Sequence, residues 1–133
     1  YKMNSLHFYM TYQNLNKEYS MFYSQPKYLE NLLWEREIND GQDFFTNDQI
    51  EKLSRLFKDE RFDHIFKFVR QMRMLKINYD TYYNNPDLLE ELLKNNKFSS
   101  KQLHYIRCIF NSDYFRYIFE IIKVQKGMKK LIF

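Results

Sequence analysis

The sequence predicts an all-α fold, an internally duplicated helical bundle with three long helices joined by pairs of short helices. Apolar residues recur at three-four spacing, and strand-like alternation is nearly absent. The chain also almost repeats itself. Tyr19, Tyr23, Pro26, Leu29, Leu32 and Leu33 return sixty residues later as Tyr79, Tyr83, Pro86, Leu89, Leu92 and Leu93. From Gln49 the offset is fifty-three: Gln102, Phe110, Phe115, Ile118 and Phe119 match Gln49, Phe57, Phe62, Ile65 and Phe66. The difference falls in a loop expected at about Glu37 to Asp43, where an insertion adds only modest closure entropy.

Phe8, Tyr9, Tyr12 and Leu15 fall opposite Phe68, Val69, Met72 and Leu75 at the sixty offset, so a first long helix is expected over 4–24. Short helices follow. Phe62, Ile65, Phe66, Val69 and Met72 make the stripe of a second long helix. It continues through Lys76, Tyr79 and Tyr83, predicting one helix from about Arg61 to Asn84. Pro86 stops that helix and opens the next, with Asn85 as cap. The short helix it opens carries Leu89, Leu92 and Leu93 and ends at Asn95-Asn96. Ser99 or Ser100 caps another, bearing Leu103, Ile106, Ile109 and Phe110. Asn111-Ser112-Asp113 marks a boundary before the last long helix, with Phe115, Ile118, Phe119 and Ile122 on its apolar face. Helices of roughly 20 residues span about 30 Å. One domain over 1–133 is expected, with repeats at about 16–75 and 76–133 and the N-terminal helix shared with the first.

Length and composition support a self-sufficient core. The 133 residues are 44% hydrophobic and 20% aromatic, which argues against disorder. Alanine is absent, whereas thirteen Phe and twelve Tyr are present. This bias toward Phe, Tyr, Ile, Lys and Asn points to an AT-rich genome, such as those of some protozoan parasites, large viruses or small bacteria. The net charge of +4 aids solubility and permits weak attraction to acidic partners without requiring it. Cys108 is the one cysteine, so the fold does not rest on an internal disulfide. A reducing compartment such as the cytoplasm is favoured. No apolar run approaches a membrane span, and no signal-peptide layout is present. The chain opens on Tyr1 rather than Met, as expected of an excerpt or a processed product.

No motif carries chemistry by itself. His104 and Cys108 are four apart on a predicted helix, a spacing that suits a metal or a Cys–His pair. Further ligands, an oxyanion hole and an orienting group have no counterpart at motif spacing. The thiol is therefore expected to pack as a small apolar side chain. The Asn39-Asp40-Gly41-Gln42-Asp43 stretch would place Arg36 at the first position of a calcium loop, so a polar turn is expected instead. Neither a metal nor a cofactor is expected, and no enzyme activity.

Two surfaces remain. Lys67, Arg70, Arg73 and Lys76, with Lys123, Lys126 and Lys130, form a candidate basic face for nucleic-acid phosphates, with a solvated helix face as the competing reading. The basic, amphipathic C-terminal segment could also lie on an anionic membrane; completion of the core is the preferred reading. Twelve tyrosines are too many for the interior, and partly exposed ones make good interface anchors. Phe22, Tyr23, Tyr82 and Tyr83 are the candidate partner-binding residues.

The expected helix order resembles the PHIST-type domains of exported parasite proteins. That resemblance implies a binding module in host-cell remodelling, with export to a host cell. Those domains carry several characteristic tryptophans, whereas this chain has Trp34 alone, and no residue role is carried over. The preferred expectation is a non-catalytic helical module for protein–protein interaction or structural assembly. The alternatives are a basic nucleic-acid-binding domain and an exported remodelling module.

Overall fold

Every regular element among the described residues of the computed structural model is helical, and no strand occurs there. Residues 3–40 and 43–127 are described, with the side chains of 35–40 set aside. The chain divides into two compact units, Tyr1–Gln71 and Met72–Phe133.

In the first unit, α1 (Ser5–Lys17) begins where Asn4 Oδ1 accepts the His7 N–H at 2.8 Å. The helix predicted over 4–24 is divided at Glu18, whose ψ of 14° departs from helical geometry. An i→i+3 bond from Met21 N to Glu18 O starts α2 (Tyr19–Ser24). The interruption accompanies ring packing: Tyr19 lies parallel to Phe57 with centroids 5.5 Å apart and meets Phe62 edge-on. Tertiary contacts here outweigh one turn of helix propensity.

Pro26 opens α3 (Pro26–Asp40), so helix covers part of the loop expected at 37–43. The run Leu32-Leu33-Trp34-Glu35-Arg36-Glu37 is rich in good helix formers, which explains the extension. The Gly41-Gln42 part of the expected turn lies outside the described residues. Next, α4 (Asn47–Leu56) starts at a reciprocal capping box: Gln49 N donates to Thr46 Oγ1, and Thr46 N donates to Gln49 Oε1. The buried Gln49 also sends Nε2 to the Met3 carbonyl at 2.9 Å, tying the N-terminal segment to α4.

Helix α5 (Glu60–Ile77) starts in the first unit, and the division between units falls within it. Phe62, Ile65, Phe66, Val69 and Met72 are all buried, as their spacing predicts. The helix predicted to run on to Asn84 stops at Asn78, with ψ 22°. The same ring packing accompanies this break as the one at Glu18: Tyr79 lies parallel to Phe110 with centroids 5.3 Å apart and meets Phe115 edge-on.

In the second unit, α6 (Tyr79–Asn84) leads through Asn85 to α7 (Pro86–Asn95). Proline occupies the first turn of α7, while the Asn85 side chain makes no cap bond. Ser99 and Gln102 form a capping box at the start of α8 (Ser100–Ile109). The guanidinium of Arg107 binds the carbonyls of Phe110 and Ser112 beyond its end. A 3₁₀ turn, Asp113–Phe115, then leads into α9 (Arg116–Gln125). Phe115, Ile118, Phe119 and Ile122 are fully buried. Helix α9 is shorter than the expected long helix, and Gly127 follows it with φ 65°, a conformation that favours glycine.

Each unit is centred on interlocked rings. In the first, Phe57 stacks on Tyr19 at 10° and meets Phe22 and Phe62 edge-on at 81° and 69°. In the second, Phe110 stacks on Tyr79 at 10° and meets Tyr82 and Phe115 at 73° and 71°.

The two capping glutamines should differ in worth. Gln49→Ala removes a cap and strands the buried Met3 carbonyl, so a loss of about 2–3 kcal/mol is expected against about 1 for Gln102→Ala. Denaturant unfolding of the two variants checks this; equal losses would contradict the extra role of Gln49.

Candidate functional site

Short helices α2 and α6 present tyrosines on successive faces, one ring toward the core and the next toward solvent. Phe22 is buried against Phe57, so it is not a surface anchor as expected from the sequence. Tyr82 is half-buried, its ring 5.7 Å from Phe110. Tyr23 and Tyr83 are exposed at 41% and 45%. Both outward rings rest on a neighbouring ring: Tyr23 is 6.3 Å from Tyr19, and Tyr83 is 6.2 Å from Tyr79.

Beyond this common base the two faces differ. Arg61 covers Tyr23 in the first unit, its guanidinium carbon 4.8 Å from the ring centroid and its Nη1 donating to the Tyr23 carbonyl at 2.8 Å. Alongside, His64 Nε2 meets Glu30 Oε1 at 3.1 Å. In the second unit Tyr114 stacks on Tyr83 with centroids 4.7 Å apart and a 27° interplanar angle. Tyr114 also meets the fully buried Phe115 edge-on at 5.0 Å, which fixes the outer pair to the core. Tyr117 stands near Asp87 and Glu90; partial desolvation, then these carboxylates, raise its phenol pKa above the ordinary value. Tyr114 and Tyr117 are 42% and 49% exposed. Spacing alone does not mark them as surface anchors. At the fifty-three offset they stand opposite Arg61 and His64, and this departure from the repeat was the available signal.

The candidate basic face is dispersed. Lys67 and Arg70 are exposed and line a depression of about 520 Å³ with Arg55, Lys58 and Asp63. Arg70 is engaged there, binding Glu51 through two bonds of 2.7 and 3.1 Å. That pairing holds the Glu51 carboxyl below its ordinary pKa. Arg73 is buried at 5% exposure rather than solvent-facing. It continues the row of Ile65 and Val69 at four-residue steps, so the helix period itself carries it inward. Lys76 is half-buried, 5.7 Å from the Tyr105 ring centroid. Lys123 is half-buried, and Lys126 lies 5.8 Å from the Phe98 ring centroid while donating to the Asn96 carbonyl. Lys130, and the C-terminal end of the amphipathic segment with it, lies outside the described residues.

Cys108 is exposed rather than packed inside, and its Sγ is 3.9 Å from His104 Nε2. Desolvation raises the thiol pKa while the Arg107 charge lowers it, with a net upward shift, which is opposite to nucleophile activation. Among the described residues no group of three or more His, Cys, Asp or Glu is placed to hold a metal ion. No helix there is long and apolar enough to cross a membrane. A further depression of about 660 Å³ lies along α1 and α4, lined by Phe8, Tyr9, Tyr12, Gln49, Lys52 and Arg55 among others.

No protein-family model, curated protein or solved structure matches this chain.

The Glu51–Arg70 pair is open to water, so a double-mutant cycle should give a coupling of about 0.2–1 kcal/mol, weakened by salt. Because the folded-state pKa of Glu51 is lowered, this stabilisation is present above the unfolded carboxyl pKa. It is lost as pH falls through the folded one. A coupling that grows on acidification would contradict the assignment.

Proposed function

We propose that this chain is a non-catalytic helical module that binds another protein through its exposed tyrosine faces. The single observation that carries the reading is the Tyr83–Tyr114 pair, two half-exposed rings braced from beneath by Phe115, with the exposed Tyr117 three residues further along the chain. Braced rings lose little conformational freedom on binding, and tyrosine keeps its hydroxyl wet while its ring is covered. Structural assembly through the same surface is the self-associating form of this reading.

The module is best understood as an internal duplication of one packing unit. Support comes from the paired ring clusters, with Tyr–Phe stacking at 10° in each, and from the two capping boxes fifty-three residues apart. The interruptions at Glu18 and Asn78 have similar dihedrals, φ −96° and −98°. Those at Gln25 and Asn85 agree likewise, at φ −135° and −132°.

A second reading, nucleic-acid binding, is favoured by the four cations Arg55, Lys58, Lys67 and Arg70 around one depression. Glu51 and Asp63 offset part of that charge, which places this reading second.

Affinity capture from the native lysate, with Tyr83→Ala/Tyr117→Ala beside the unaltered chain, tests the first reading. Loss of a recovered partner from the correctly folded variant is expected; undiminished recovery of every partner rejects the tyrosine-face version. Titration with random single-stranded DNA and RNA across a salt series tests the second. Tight binding that falls steeply with salt would reverse the ranking, and no detectable binding at low salt would remove the alternative.

A further inference from the structure

The first unit shows what kind of group its exposed tyrosine accepts. There the ring of Tyr23 is already covered, by the guanidinium of Arg61 from the same unit. The base beneath is alike in both units: Tyr23 meets Phe62 at 6.4 Å and 70°, and Tyr83 meets Phe115 at 6.0 Å and 76°. What surrounds the base has been exchanged. Tyr114 replaces the covering arginine, Tyr117 stands in place of His64, and Asp87 in place of Lys27. Glu30 and Glu90 keep the carboxylate at the matching position.

These exchanges withdraw cations and add an anion: a ring covered by a guanidinium becomes a ring covered by a second tyrosine that is itself 42% exposed, with the carboxylates Asp87 and Glu90 acting on the neighbouring Tyr117. Two exchanges run the other way, since Arg116 stands in place of Asp63 and Lys94 in place of Trp34. Lys94 bonds one oxygen of Glu90 at 3.2 Å, a partly exposed pair within one helix that a better-placed cation can displace at small cost.

We infer that the Tyr83–Tyr114–Tyr117 face of the second unit receives an arginine side chain from a basic segment of a partner protein, with Asp87 and Glu90 as counter-charges. This deepens the protein-binding reading and rests on it. Arginine fits better than lysine because a planar guanidinium stacks on a phenol ring and forks toward a carboxylate at once. A nucleic-acid strand could stack on the same rings, but its phosphates would meet the two carboxylates.

Fluorescence anisotropy of a labelled peptide of alternating arginine and serine, titrated with the whole chain, provides the test. The lysine–serine counterpart and an oligothymidylate strand are the comparison probes. Saturable binding of the arginine peptide is expected, with weaker binding of the lysine peptide. Losing one ring contact in Tyr83→Ala or Tyr117→Ala should weaken binding about fivefold. Asp87→Asn/Glu90→Gln should weaken it at least as much. Tyr114→Phe should retain it. Tyr114→Arg, which installs the covering cation of the first unit, should abolish it. Tyr28→Ala serves as an exposed control outside the face, and thermal unfolding by circular dichroism verifies that each variant is folded.

Absence of arginine-peptide binding at low salt, unchanged affinity in Tyr114→Arg, or preference for oligothymidylate would each overturn the inference. The broader reading fails separately. A native partner that is lost on Tyr83→Ala/Tyr117→Ala but not displaced by the arginine peptide preserves the module and rejects only the arginine. A partner retained by that variant rejects the tyrosine face itself.

Discussion

The structure depends on phenylalanine rings that two helical segments must share. Phe57 stands at the end of α4 and Phe110 at the end of α8, each with a parallel tyrosine on one side and edge-on rings on others. A chain without alanine and with two glycines has few small apolar residues at which helices can approach, and interlocking rings set the approach here. Edge-to-face geometry is directional as well as greasy, and it fixes where the adjoining short helix must turn. The breaks at Glu18 and Asn78 follow from this demand, since each precedes the tyrosine that lies flat on the shared ring.

Surface chemistry grows out of the same arrangement. A six-residue helix carrying Tyr79, Tyr82 and Tyr83 sends its first two rings toward Phe110 and leaves the third outside against Phe115. The outside tyrosine is therefore held by the core without being part of it. In the first unit Arg61 covers the corresponding ring, and in the second Tyr114 extends it into a wider aromatic face. On the proposed reading, two copies of one packing solution have diverged at the rim and kept the centre.

Much of the interior was legible from spacing. Phe62, Ile65, Phe66, Val69 and Met72 repeat at helical intervals, and all are buried, because burial of one helix face leaves a periodic trace. Pro26 and Pro86 marked helix starts for an equally local reason. Arg73 departs from the solvent-facing expectation because its place in the Ile65–Val69 row outweighs its charge. The continuous helices expected over 4–24 and 61–84 hid their breaks, since nothing local to Glu18 reveals the ring packing its neighbour gains. Phe22 was grouped with the surface tyrosines although only its partner, Phe57, decides which way it faces. Tyr114 and Tyr117 were visible only as departures from the repeat, a signal that becomes chemical once Arg61 is seen lying over Tyr23.

The most direct measurement is a pair of double-mutant cycles in the unfolding free energy, one for Tyr19 with Phe57 and one for Tyr79 with Phe110, using leucine at each position. Stacked rings at these separations predict a favourable coupling of about 0.5–1.5 kcal/mol in each cycle. Additive losses in either cycle would show that its two rings do not hold each other, and would contradict the account of what organises that unit.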